Sequence, residues 1–279
     1  MDLLVVGGSG LLGREVSRQA RHAGQRVAAT FHRRRPDADA HQLDIRDRDA
    51  VIALVDALRP TVVVNAAYQQ SDWATTADGG LHVALAAAAT GARLVHVSSD
   101  AVFSGAAGRY DETAVPDPTT AYGAAKAAAE TAVKGIAPAA VIARTSLIIG
   151  HGDSQHERQV HALAGGAPGA LFTDDLRCPV DVGDLASAVL ELAASPHAGV
   201  HHVAGADAVS RHELGVLIAR RDGLDETALP RALRAGSGIP GPVDVRLDST
   251  KTQARLTTRL RGAHEFLDHE GRVQSGSGG

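Results

Sequence analysis

In Leu3-Leu-Val-Val-Gly-Gly-Ser-Gly-Leu-Leu-Gly13 an apolar run ends in glycines spaced Gly-x-x-Gly-x-x-Gly. Four apolar residues with two β-branched valines predict a short buried strand. Arg14 to His22 then reads as a helix. A strand, a glycine turn and a helix in that order leave free backbone N–H groups and the positive end of a helix dipole at one spot, which suits a pyrophosphate. Gly7 permits the tight turn, Gly10 lets phosphates approach the backbone, and Gly13 lets helix and strand pack closely. Gly7, Ser9, Gly10, Leu11, Leu12 and Gly13 are therefore expected to bind a dinucleotide.

Further along, Arg26 to Thr30 predicts a second strand, followed by Phe31-His-Arg-Arg-Arg35. An acid at this point would favour the ribose hydroxyls of NADH, whereas arginines grip a 2′-phosphate. His32, Arg33 and Arg34 thus point to NADPH, with NADH as the alternative. Asp44, followed by Ile45, either accepts the adenine amino group or caps the helix Arg48 to Leu58 or the turn before it. Pro60 ends that helix. Thr61 to Asn65 reads as another buried strand, and small Ala66 and Ala67, then Tyr68, stand where a flat cofactor lies against the backbone. Leu81 to Thr90 is an alanine-rich helix stopped by Gly91, with Asp72 and Trp73 in the loop before it. Trp73 either lines a substrate pocket or pins the loop.

Composition sets bounds on this reading. The chain has 279 residues, 44% of them apolar but only 3% aromatic, so small aliphatic side chains must build the core. A net charge of −4 makes no case for nucleic acid or a membrane surface. The single cysteine, Cys178, excludes an internal disulfide and fits a reducing compartment. The sequence enters a strand directly and carries no apolar run of membrane-spanning length, so a cytoplasmic protein is expected. No Cys/His spacing suggests a metal.

A second chemical pattern follows the strand Arg93 to Ser98, which ends in Ser98-Ser-Asp-Ala-Val-Phe103. Hydroxyls at the carboxyl edge of a parallel sheet face the ligand crevice. Ala121 to Glu130 is strongly helical in composition and places Tyr122 and Lys126 on one face. Hydride delivery to a ketone leaves an alkoxide that needs a proton. Free tyrosine, with a pKa of about 10, exchanges protons poorly at neutral pH. An ammonium one turn away stabilises the phenolate, and a serine hydroxyl holds the carbonyl oxygen.

These segments resemble the extended short-chain dehydrogenase/reductases, and more narrowly the dTDP-4-dehydrorhamnose reductase group. The resemblance rests on Gly7 to Gly13, Asn65-Ala-Ala67, Ser98 to Phe103, Tyr122-Gly-Ala-Ala-Lys126 and Arg144-Thr-Ser-Leu-Ile-Ile-Gly150. It continues through Cys178 to Ala186, Gly199 to Gly205 and Val245 to Ser249. It implies a Rossmann-type α/β fold, a doubly wound parallel sheet with a smaller carboxyl-terminal substrate lobe. It also implies Ser99, Tyr122 and Lys126 as catalytic residues, with Tyr122 and Lys126 touching the cofactor as well. Ser99, Asp100, Val102 and Phe103 would lie on the substrate side. The implied reaction is NADPH-dependent reduction of an NDP-4-keto-6-deoxysugar. The sequence departs from the group at Ala101, at Ser104 and in the loop after Tyr68. These departures leave a small ketone or imine substrate as an alternative; a non-catalytic NADP-binding regulatory subunit, a role the same fold also serves, is another. A homodimer is left open.

The expected nucleotide domain spans 1–150 with a return segment near 179–205, and the smaller lobe 151–178 and 206–270; 271–279 reads as a flexible tail. Leu171 to Arg177 is expected to form an edge strand of that lobe, with Arg177 pairing either a substrate phosphate or Asp174 or Asp175 at the surface. Asp184 to Ala194 and Ser210 to Arg221 read as capped helices, His201 to Val203 as a return strand, Arg231 to Pro242 as loop, and Leu247 to Lys251 as the start of the last helix.

Overall fold

A computed structural model describes residues 2–33, 35 and 40–270; Arg34 and the 271–279 tail lie outside the described residues. Among the described residues, seven parallel strands form the central sheet: β1 (Asp2–Val6), β2 (Arg26–Phe31), β3 (His41–Gln42), β4 (Val62–Asn65), β5 (Arg93–Ser99), β6 (Val141–Thr145) and β7 (Gly199–His202). Their order is β7-β6-β5-β4-β1-β2-β3. The order reverses between β1 and β4, the switch point where such sheets bind ligands beyond their carboxyl ends.

Alternation along the strands assigns the faces. Leu3 and Val5 of β1 point to one face, where they pack with Val16 of α1 (Leu11–His22). After α2 (Arg48–Leu58), α3 (Gly79–Thr90), α4 (Ala121–Ile136) and α5 (Gln155–Ala164) comes α6 (Val182–Ala194), whose Leu185, Val189 and Leu192 join that same layer. Leu4 and Val6 point the other way, against Val51 and Val55 of α2, Val83 and Ala87 of α3 and Val133 of α4. Each such side chain, buried on both sides of a parallel sheet, contributes roughly 1.5–3 kcal/mol.

A separate apolar cluster joins α5 with α7 (Arg211–Arg221) and, beyond the short α8 (Thr250–Gln253), with α9 (Ala263–Glu270), through Val160, Leu163, Leu214, Ile218, Phe266 and Leu267. Ser154 and Ser210 each form a capping box, with Glu157 and Glu213.

Several expectations are corrected. The first helix starts at Leu11, because Gly10 adopts an extended backbone and serves as its N-cap. Leu171 to Arg177 is not one edge strand. Leu171–Phe172 pairs with Arg231–Ala232, inside the region read as loop, and Leu176–Arg177 pairs with Val209–Ser210. Lys251 lies in a four-residue helix, and the last helix begins at Ala263. No helix among the described residues is long and apolar enough to cross a membrane.

Candidate active site

The glycine loop is built by close approach. Gly7 has φ +85°, and a Cβ there would lie 2.7 Å from the Ala67 nitrogen; a Cβ at Gly13 would collide with the Gly7 carbonyl oxygen. Gly10 is exposed, and its N–H donates to Gly7 O at 3.0 Å, closing the turn. Thr30 Oγ1 accepts from Gly7 N at 3.1 Å and so ties the loop to β2. The first amides of α1 have no partner within the helix, which leaves Leu11, Leu12 and Gly13 to act through their backbone. Leu12's own side chain is buried in the core and cannot touch a ligand.

The loop opens into a cavity of about 500 Å³. Of the expected cofactor residues, Gly7, Ser9, Gly10, His32, Arg33, Asp44, Ile45, Ala66, Ala67 and Tyr68 line it. Sequence reading missed Thr30, Arg46, Gln69, Ser71, Asp72 and Thr75, which line it too. Asp44 is not the cap of α2; Asp47 is, accepting from Asp49 N and Ala50 N. Asp44 instead accepts from Arg46 N at 3.0 Å and from Arg46 Nε and Nη2 at 2.9 and 2.6 Å, which hold its carboxyl down at about 2. An Asp-x-Arg turn was the available signal. Trp73 is half exposed, beside a five-residue π-helical turn, Ala74–Asp78, that leads into α3.

At the carboxyl end of β5, alternation separates the two serines. Ser98 is buried and donates to Glu130 Oε1 at 2.7 Å. Ser99 lies on the opposite side of the strand; its Oγ accepts from Ala101 N at 3.2 Å, capping the short turn Asp100–Val102, and its hydroxyl donates to Asp100 Oδ1 at 3.2 Å. Gly123 makes the next approach possible, since any Cβ there would collide with the Ala101 carbonyl oxygen. With Thr120 Oγ1 capping Gly123 N, the first turn of α4 presses on the turn after Ser99 and brings Tyr122 to it. The Tyr122 ring lies 5.9 Å from that of Tyr68, centroid to centroid. Burial pushes the phenol's pKa up, Tyr68 adds to the rise, and a hydrogen bond with Ser99 opposes it.

Lys126 is fully enclosed. Its Nζ donates to Val97 O at 2.9 Å and stands 5.2 Å from the Tyr68 ring centroid. Burial lowers its pKa to about 8, against the pull of Glu130. The expectation that Lys126 depresses the Tyr122 pKa is thus corrected for this state, because burial dominates and the ammonium is engaged by the strand carbonyl. What results is a neutral phenol, a proton donor, beside a hydroxyl and a buried amine.

The expected substrate residues fare differently. Val102 and Phe103 are completely buried, Phe103 stacking on Tyr110 at 4.1 Å, so neither can contact a substrate. Asp100 is buried and accepts from Ser146 Oγ at 2.6 Å. Arg177 is neither a surface residue nor free. It is buried against Asp175 at 2.7 Å and donates to Pro242 O at 2.8 Å, with Asp100 3.6 Å away. Cys178 is buried, and desolvation raises its thiol to about 12, far from a reactive thiolate. Among the described residues no cluster of His, Cys, Asp or Glu is arranged to hold a metal ion.

The family model described as RmlD substrate binding domain matches residues 1–269. The chain is 34% identical over 259 residues to a probable low-salt glycan biosynthesis reductase, Agl14, of Haloferax volcanii, covering 86% of each. It is 33% identical to a dTDP-4-keto-6-deoxy-D-glucose reductase of Streptomyces niveus, covering 80% of this chain and 79% of the relative. A crystal structure of a hypothetical dTDP-4-dehydrorhamnose reductase from Sulfolobus tokodaii superposes with a TM-score of 0.82 at 27% identity, over 94% of this chain and 97% of that one.

Proposed function

The chain belongs to the RmlD substrate binding domain family, and on that premise we propose that it is an NADPH-dependent ketoreductase reducing the 4-keto group of a nucleotide-linked 4-keto-6-deoxysugar. The observation that carries this is the meeting of Ser99, Tyr122 and Lys126 beside Tyr68, which itself lines the glycine-loop cavity. That cavity fits a dinucleotide: Gly7 and Gly13 leave room only for backbone, and the first turn of α1 points its amides at one end. NADPH, when bound, supplies hydride to the carbonyl carbon. Ser99 Oγ would hold the carbonyl oxygen. As the C–H bond forms, the Tyr122 hydroxyl gives its proton to the nascent alkoxide, so that C=O becomes CH–OH. Lys126, cationic at neutral pH, offsets the charge left on the phenolate until solvent reprotonates it.

The backbone of Gly7 to Gly13 would cradle the diphosphate, and Arg33, with Arg34, would meet the 2′-phosphate. A cytoplasmic setting fits the lone buried thiol of Cys178. Any homodimer is read from mass in solution. NADPH oxidation against dTDP-4-keto-6-deoxysugars and nucleotide-free ketones tests the reading. Turnover is expected with the nucleotide-linked sugars. Tyr122→Phe is expected to cut kcat by about 10²–10⁴-fold while retaining NADPH binding. Turnover of simple ketones alone would replace the substrate class, and an unaffected Tyr122→Phe variant would remove the proton donor.

A further inference from the structure

Four charged or titratable side chains form a row along the cavity wall, His32 just past β2, Asp44 and Arg46 past β3, and Asp72 in the loop after β4. His32 Nε2 lies 3.6 Å from Asp44 Oδ2, Asp44 is forked by Arg46, and Arg46 Nη1 reaches Asp72 Oδ2 at 3.5 Å. All four line the cavity with Arg33. The adenosine ribose of a dinucleotide sits past the second strand, so the His32 end of this row, 3.6 Å from Asp44, flanks the position that separates NADPH from NADH. Asp44 and Asp72 are both held ionised, Asp44 chiefly by Arg46 and Asp72 chiefly by Thr75. Unopposed, two carboxylates there would repel a dianionic phosphate. Arg46 is the guanidinium that touches both.

We propose that Arg46 is a cofactor-specificity residue, which admits the 2′-phosphate by neutralising Asp44 and Asp72. The inference rests on reading the cavity as the NADPH site. Its chemistry is electrostatic screening: Arg33 supplies attraction, and Arg46 cancels the repulsion. Arg46 is partly exposed, so its replacement leaves the core untouched.

The test is binding, followed by fluorescence, of NADPH, NADH, adenosine 2′,5′-bisphosphate and AMP to the wild type, Arg46→Gln and Asp44→Asn/Arg46→Gln. Arg46→Gln is expected to weaken NADPH and the bisphosphate by about tenfold while changing NADH and AMP by less than about threefold. The double variant is expected to recover most of the NADPH loss, since the carboxylate is gone. Equal weakening of all four ligands, no change, or no recovery in the double variant would overturn the inference alone. A wild type that binds neither dinucleotide would overturn the cofactor reading, and this inference with it.

Discussion

Lys126 shows how one buried charge links stability and chemistry. Its folded pKa of about 8 lies below the ordinary lysine value because burial disfavours the ammonium. Between pH 8 and the unfolded value the unfolded chain binds more protons, so stability rises with pH across that window. Lys126→Met is therefore expected to lose reductase activity, while in denaturant titrations the wild type gains on the variant as pH climbs above about 8. The wild type's kcat/KM is expected to fall over the same window, as the cation beside Tyr122 is lost; a flat profile would remove Lys126 from the chemistry. Tyr122 and Lys126 were legible because a four-residue spacing on a helix shows in sequence. Arg46 was not, because its importance depends on Asp72, which a separate loop delivers.

The strand–turn–helix of the glycine loop has two glycines with different tolerances. Gly13 packs against the Gly7 carbonyl, whereas Gly10 is exposed, and a Cβ there would meet only the Gly7 oxygen at 3.3 Å. Gly10→Ala is expected to keep stability within about 1 kcal/mol of the wild type by thermal denaturation, yet to weaken NADPH by tenfold or more, on the order of the 1.4 kcal/mol that such a factor represents. Gly13→Ala is expected to lose both binding and several kcal/mol of stability, roughly as an overpacked core site does. Most elements could be read because apolar periodicity and caps are local signals: buried valine runs mark β4, and Gly91 at φ +71° stops α3. The two-residue strands outside the central sheet were not legible. Leu171–Phe172 takes its partner from Arg231–Ala232, and no window of sequence contains both.

Across the whole molecule, a charged chain runs from the proposed catalytic turn to Arg234. Asp100 follows Ser99, Arg177 lies 3.6 Å from Asp100, and Asp175 sits between Arg177 at 2.7 Å and Arg234 at 2.8 Å. Asp175→Ala would take from two largely buried guanidiniums the carboxylate they share, leaving Arg177 only Asp100 at 3.6 Å. It is expected to cost about 3–5 kcal/mol in urea unfolding, far more than loss of a surface pair. The sequence alone determined the parallel α/β class, the glycine loop and the Tyr122/Lys126 spacing, because each is written in residues close together along the chain. Only the tertiary structure decided that Val102 and Phe103 are core, that Arg177 is held by Asp175, and that Arg46 spans Asp44 and Asp72 on a cavity wall. The physical reason is that a polar or apolar side chain takes its role from what desolvates or pairs it, and folding brings those groups from distant parts of the chain.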